Sequence, residues 1–342
     1  MFSDSTIIGL DIGSESIKMV ESHHGKNGVI DLHTYGVAKH DIDLGGYWDS
    51  TKLRQISMII EEVMNSGEFK GIKTVMSVQS KDVFVTTLDF EFGWSDKQIQ
   101  REIDQQAEYF LPYPPDEMRL SWNRIEGDPR VAEYTGKQRV IINALPDFVV
   151  ENSKNLLEHI NLDGVALENQ TVSQLRAALS PDTGNTVLMD IGGSYTTFSI
   201  IVEGILRASS HVNVGIDRMR SSLADSLGVR PEAAEAFKRD LNLINLFELP
   251  EQVFETYGML KSELDTFVEI NKKVSQQPAK VIITGGGVNS VGIIEYFGSY
   301  PIPVYKANNL RGVRIPMPLQ PYILPLANQL STAIGLSMRD DV

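Results

Sequence analysis

The sequence contains no cysteine, which excludes disulfides, thiolate zinc sites, iron–sulfur ligation and thiol nucleophiles, and fits a reducing compartment. Positive charge is in deficit. Lys and Arg number 31 against 45 Asp and Glu, a formal net charge of −14, so the field repels phosphate backbones and anionic bilayers and argues against non-specific nucleic-acid binding. No run approaches the roughly 18 apolar residues of a membrane span, and the first residues, Met1 to Ser5, lack the basic and apolar regions of a secretory signal. The expectation is a cytosolic protein without direct membrane insertion, reaching any membrane through a partner. Gly-Lys-Ser/Thr and G-x-G-x-x-G are both absent, which disfavours P-loop and ordinary Rossmann mechanisms.

At 342 residues the chain exceeds what one core usually serves, and two domains with a cleft between them are expected. A hydrophobic fraction of 42% and a charged fraction of 22% exclude collagen-like, low-complexity and wholly disordered classes.

The strongest organisational signal is an echo. An apolar run ends in Asp11-Ile12-Gly13 and is followed by an alternating segment through Ser16, Ile17, Lys18 and Met19. The pattern returns at Asp190-Ile191-Gly192-Gly193, followed by Thr196 to Ile201. Each reads as strand, tight turn, strand, and a repeat at about half the chain length predicts two related domains. Between the echoes, 48–66 has helical spacing and 74–78 reads as a strand. From about residue 82 the texture changes. Ser95 and Gln98 form a capping-box pattern, and Ile99, Ile103 and Ala107 make one helical face ending at Leu111-Pro112. Strands at 118–122 and 138–144 and a helix at 148–160 complete a small α/β subdomain inserted over 82–164. The first domain then comprises 1–81 and 165–185, and the second 186–342. Within the second, helices are expected at 215–227, 231–241, 252–274, 290–297 and 326–338, and a proline-rich loop at 300–325.

Glycine turns let backbone N–H groups approach phosphate oxygens, and Ser or Thr hydroxyls add donors. A carboxylate beside such a turn would repel bare phosphate, so Asp11 and Asp190 together point to a divalent cation, held through water as Mg prefers. Lys18, alternating with apolar residues, points back as a compensating cation. Gly285-Gly286-Gly287 after an apolar strand suits a nucleoside lying against exposed backbone. His23 and His24 read as exposed polar residues, Arg311 and Arg314 as solvated loop residues. Tyr109, Phe110 and Tyr113 fit either the core of the insert or a peptide groove.

In order and spacing these motifs resemble those of the actin-like ATPase superfamily, and within it the PilM family of type IV pilus proteins, with FtsA as nearest relative. The aromatic and proline signature from Ala107 to Pro114, the strand Gln138 to Ala144 and the end Gly335 to Arg339 carry the narrower resemblance. It implies an actin-like, two-lobed α/β fold with duplicated RNase H-like domains and an FtsA-type insert. It further implies ATP and Mg as cofactors. Asp11 and Asp190 would be the metal-side carboxylates, Gly13, Ser14, Glu15, Ser16 and Lys18 the first phosphate loop, and Gly192, Gly193 and Ser194 the second. Gly215 would lie near the ribose, Lys261 and Glu263 beside the adenosine with Gly285, Gly286 and Gly287, and Gln170 at the water-positioning place. Because an amide orients water without being a useful base, any ATPase activity is expected to be slow. The resemblance implies a scaffold that binds the cytoplasmic tail of a PilN-like membrane protein, with pilus motor ATPases and self-association as further options. The alternatives are an FtsA-like filament former, which the acidic end at Asp340 and Asp341 disfavours, and a sugar or acetate kinase, which the insert disfavours.

Overall fold

The computed structural model describes residues 5–26, 28–125, 136–179, 184–230, 251–272, 277–290 and 292–340. The helix expected at 231–241 and the last residues of the one expected at 252–274 lie outside these.

Strand β1 (Ser5–Ile12) carries Ile7, Ile8, Leu10 and Ile12, all buried, as a strand covered on both faces requires. It pairs antiparallel with β2 (Ser16–His24), which pairs antiparallel with β3 (Ile30–Lys39), and parallel with β4 (Lys73–Val78). Between β3 and β4, helix α1 (Ser50–Ser66) starts at Asp49, whose carboxylate accepts from Lys52 N, and packs Ile56, Ile60 and Val63 onto Ile8, Leu10 and Met19.

The insert forms a sheet of its own from β5 (Phe84–Glu91), β6 (Met118–Arg124) and β7 (Lys137–Pro146), in the order β5-β7-β6. Helix α2 (Asp96–Phe110) covers it with Ile99, Ile103 and Ala107 and has the expected reciprocal cap between Ser95 and Gln98. The aromatic trio divides: Phe110 stacks on Phe84 and joins the core of the insert, while Tyr109 and Tyr113 are exposed. The next segment corrects the expected boundary. Helix α3 (Asp147–His159) sends Leu156 and Leu157 into the core of the first sheet, and β8 (Asp163–Asn169) extends that sheet beside β4. The separate sheet therefore occupies 84–146 and does not run to 164.

After helix α4 (Gln170–Ala178) the second sheet begins with β9 (Thr186–Ile191), β10 (Thr196–Val202) and β11 (Ile205–Val212). Helices α5 (Ile216–Leu227) and α6 (Glu251–Ile270) follow, then β12 (Lys280–Thr284), the short α7 (Ile293–Phe297) and β13 (Val304–Lys306). The strand order β11-β10-β9-β12-β13 repeats β3-β2-β1-β4-β8 of the first sheet: three antiparallel strands, then two parallel ones. The echo in sequence is thus a duplicated topology, with β1 and β9 at equivalent central positions.

The end of the chain returns to the first lobe, another departure from the expected division. The stretch 300–325 is not a loop throughout: besides β13 it holds β14 (Val313–Arg314), which adds to β3, and α8 (Gln320–Ile323). Arg314 pairs with Asp31, so it is anchored rather than merely solvated. Helix α9 (Ser331–Ser337) is shorter than the expected 326–338 and lies against α4, with Ala333 and Ile334 in a cluster with Val20 and Leu32. His24 is also not exposed: it is buried, and its Nε2 lies 2.7 Å from the Ser337 carbonyl. Close approach explains two glycines. A Cβ on Gly335 would overlap the Ser173 carbonyl oxygen of α4, and one on Gly9 the Ala333 carbonyl of α9.

Gly335→Ala is therefore expected to destabilise the chain by about 1–3 kcal/mol, since two helix backbones must separate. Gly204→Asn, at an open turn with φ 76° and nothing near a Cβ, should stay within about 0.5 kcal/mol of the parent. Urea unfolding checks both, and equal effects would refute tight α4–α9 packing.

Candidate functional site

Both Asp-Ile-Gly turns fold by the same hydrogen bond. Gly13 N donates to Ser16 O and Gly192 N to Tyr195 O, each at 3.0 Å. The cross-strand register is also shared: Asp11 faces Lys18 and Asp190 faces Thr197, each seven residues on. Their partners differ. Lys18 Nζ reaches Asp11 Oδ2 at 3.1 Å, whereas the equivalent Thr197 is buried and its hydroxyl has no hydrogen-bond partner among the described residues. Behind the first turn, His40 Nδ1 accepts from Ile42 N at 3.2 Å, so its Nε2 donates to Gly13 O at 2.9 Å. Burial keeps the His40 imidazole below its usual value, which favours the neutral ring this arrangement needs.

One helix connects the two carboxylates. Gln170 and Gln174 lie one turn apart on α4 and so share a face. Gln170 Nε2 donates to Asp11 Oδ1 at 2.9 Å, beside Ser77 Oγ at 2.7 Å. Gln174 Nε2 donates to Asp190 Oδ2 at 2.8 Å and to Thr332 Oγ1 at 3.1 Å. The Gln170 carbonyl oxygen accepts from Ser80 N at 3.2 Å and from the Tyr195 hydroxyl at 3.1 Å. This fixes the amide and fills its acceptor end. Burial first, then the charges of Asp190 and Asp11, pushes the Tyr195 phenol well above its usual range, so it stays a donor. Glu168, two residues before Gln170, faces away from the cleft and pairs with Arg176 at 2.9 Å and Arg339 at 3.4 Å.

Asp11 and Asp190 open into one cavity of about 990 Å³ between the sheets, at the carboxyl ends of β1 and β9. Of the residues expected from sequence, Gly13, Ser14, Glu15, Ser16, Lys18, Gln170, Gly192, Gly193, Gly285 and Gly286 also line it. Gly215 and Gly287 are structural supports. A Cβ on Gly215 would overlap the Gly193 carbonyl, and one on Gly287 would overlap the Ile191 side chain. The three glycines do not start an α-helix as expected. Gly285 has φ 84°, a 3-10 turn covers Gly286–Asn289, and α7 begins at Ile293. Ser194 is exposed and donates to Asp217 instead. Lys261 and Glu263 sit on α6 outside the cavity wall, half-buried and exposed respectively.

Several lining residues were missed. Gln174 was hidden among helical polar residues, although its i+4 spacing from Gln170 was a usable signal. Lys39, Arg220, Lys306 and Thr332 come from elements whose orientation only the fold sets. The walls suit a polyphosphate nucleoside. Glycine turns expose backbone donors, Lys18, Lys39 and Arg220 supply positive charge, and the buried Ser290 hydroxyl in the wall has no partner among the described residues. Asp11 and Asp190 are hard-oxygen ligands. Among the described residues no group of three or more His, Cys, Asp or Glu is placed to hold a metal. A cation here would therefore take its other ligands from water and phosphate, as Mg does.

Residues 9–341 match the family described as type IV pilus assembly protein PilM. Among solved structures, the chain is similar to one of a PilM-PilN type IV pilus biogenesis complex, with TM-score 0.83 and 18% identity, covering 99% of each chain. It is similar to the ethanolamine utilization protein EutJ from Carboxydothermus hydrogenoformans (TM-score 0.57, 14% identity, 99% and 92% covered). It is also similar to MreB 5 of Spiroplasma citri bound to AMPPNP (TM-score 0.52, 10% identity, 97% and 95% covered). The fold is the actin-like one. No helix among the described residues is long and apolar enough to cross a membrane.

Enclosed by Gly285 and Gln174, the Asp190 carboxyl is pushed up to about 6, chiefly by burial and further by the Asp11 charge. The folded chain then holds this proton more tightly than the unfolded one. Ionised Asp190 opposes folding: the penalty is absent below about pH 4, grows as pH rises towards 6 and is complete above it. Without nucleotide or metal, Asp190→Asn is expected to stabilise the chain at pH 7.5 by on the order of 1–2 kcal/mol and to give no gain at pH 4. Melting temperatures at the two pH values decide this, and a loss at pH 7.5 would refute it.

Proposed function

The chain belongs to the family of type IV pilus assembly protein PilM, and on that premise we propose that it is an ATP-binding, actin-like scaffold of a pilus assembly platform at the cytoplasmic face of the inner membrane. It receives the cytoplasmic amino-terminal tail of a PilN-like membrane protein. The observation that carries the nucleotide part is the convergence of Asp11 and Asp190, on equivalent turns of two sheets, into one cavity with α4 between them. Asp11 and Asp190 would hold Mg through water. The two turns, with Lys18, would hold the phosphates, and Gly285, Gly286 and Ser290 the nucleoside. The cation, when bound, supplies neutralisation of phosphate charge between two carboxylates that otherwise repel it. Both ends of the Gln170 amide already engage protein groups, and an amide is no base, so hydrolysis is slow. Glu168, two residues before Gln170, is paired with two arginines and is not among the cavity-lining residues.

The PilN part rests on the family and on likeness to the PilM-PilN complex. The insert, with Tyr109 and Tyr113 exposed at the end of α2, offers apolar surface for a peptide.

Two measurements test this reading. Mg·ATP is expected to raise the melting temperature by several degrees, and Asp11→Asn to weaken ATP binding at least tenfold by calorimetry; a parent chain indifferent to ATP would sink the nucleotide claim. A fluorescent peptide carrying the amino-terminal tail of the PilN-like protein encoded beside this chain is expected to bind in an anisotropy titration. Absence of binding would remove the scaffold claim.

A further inference from the structure

A glutamate in a phosphate-binding turn is the wrong charge for the ligand. Glu15 occupies that place in the first turn, and its surroundings explain how it is tolerated. Its side chain reaches across the cleft to the second lobe, where its Oε1 accepts from Arg220 Nη1 at 3.0 Å. The same guanidinium nitrogen donates to Asp217 Oδ1 at 2.6 Å, one helical turn earlier on α5. On the way Glu15 lies flat over the second turn. A Cβ on Gly193 would come within 2.6 Å of the Glu15 carboxyl carbon and 2.8 Å of its Oε2, so this contact depends on Gly193 having no side chain. Glu15, Gly193 and Arg220 all line the one cavity that holds Asp11 and Asp190.

The contact therefore sets an anion of the protein between two phosphate-binding turns and on Arg220, a cation of the second lobe that lines the same cavity. Lys18, in the first lobe, is engaged with Asp11. An arginine fork suits phosphate at least as well as carboxylate, and a polyphosphate brings more charge to it than one carboxylate does. The cluster also holds one acid too many. Burial raises the Asp217 carboxyl to about 6, assisted by its hydrogen bond to Glu15 and the Glu15 charge. Burial also works to raise Glu15, but hydrogen bonds with Asp217 and Arg220 outweigh it and hold Glu15 below the usual carboxylate range. Withdrawing Glu15 leaves Arg220 still anchored by Asp217 on the wall of the same cavity.

We infer that Arg220 is a phosphate-binding residue of the cleft, and that Glu15 is its internal competitor, an anionic strap between the lobes that the polyphosphate of the nucleotide must displace. The inference rests on the reading of the cleft as a nucleotide site. It gives the interlobe contact a direction: phosphate binding breaks the Glu15–Arg220 pair, so the first turn is released from α5 as the ligand seats.

Calorimetric titration of the full chain with Mg·ATP, tripolyphosphate and adenosine tests it, using Glu15→Gln, Glu15→Ser, Arg220→Met and the double variant E15Q/R220M. Removing the Glu15 charge is expected to tighten ATP and tripolyphosphate binding about tenfold and to leave adenosine unchanged. Arg220→Met is expected to weaken both phosphate ligands by a similar factor, and the double variant to bind no more tightly than Arg220→Met alone. A parent that binds ATP while both Glu15 variants bind it equally or more weakly would overturn the inference and leave the nucleotide site standing. The same tightening in the Arg220→Met background would overturn the role of Arg220, reducing Glu15 to general repulsion. If neither the parent nor the Glu15 variants bind any of the three ligands, the nucleotide reading itself falls, and this inference with it.

Discussion

Two glutamines one helical turn apart hold two carboxylates that belong to different sheets, and the cleft depends on that arrangement. Asp11 and Asp190 lie at the ends of β1 and β9, which are strands of separate sheets. Gln170 and Gln174 bring them to a common cavity because residues i and i+4 project from one face of α4. Helix α9 holds α4 in place at a backbone separation that only Gly335 allows, and α9 in turn rests on β1 where Gly9 has no side chain. Carboxylates, amides and glycines thus form one chain of contacts from the first sheet to the second.

The duplicated lobes are not used symmetrically. In the first, Lys18 compensates Asp11 from the neighbouring strand. In the second, the same position is Thr197, and Asp190 accepts from the neutral Gln174 amide. Burying a carboxylate raises its affinity for a proton, and the Asp190 carboxyl is accordingly pushed upward. A divalent cation would supply the missing charge from the cavity side. The strap from Glu15 to Arg220 adds a second asymmetry. Here the first lobe lends an acid to the second, and the acid stands where a ligand anion belongs.

How much of this was legible beforehand varies with the range of the interaction. The two hairpins were readable because apolar alternation and Asp-Ile-Gly are local signals, and so was the cap of α2 at Ser95 and Gln98. The end of the insert was not. Helix α3 is amphipathic whichever core it joins, and the place of its Leu156 and Leu157 in one cluster with Ile8 and Leu10 assigns it to the first sheet. Lys261 and Glu263 are plausible residue types on a helix that contributes no residue to the cavity lining. His24 looked polar and exposed, yet a carbonyl of α9, more than 300 residues away, buries it.

The sequence by itself determined the two Asp-Ile-Gly hairpins, their duplication and the family, because each depends on residue type and near-neighbour spacing along the chain. Tertiary structure alone decided which side chains share the cleft. Arg220 meets Glu15 from 205 positions away, and Gln174 meets Thr332 from 158. Such pairings follow from the packing of two lobes through α4 and α9, where charge, burial and backbone clearance act together and no local pattern records them.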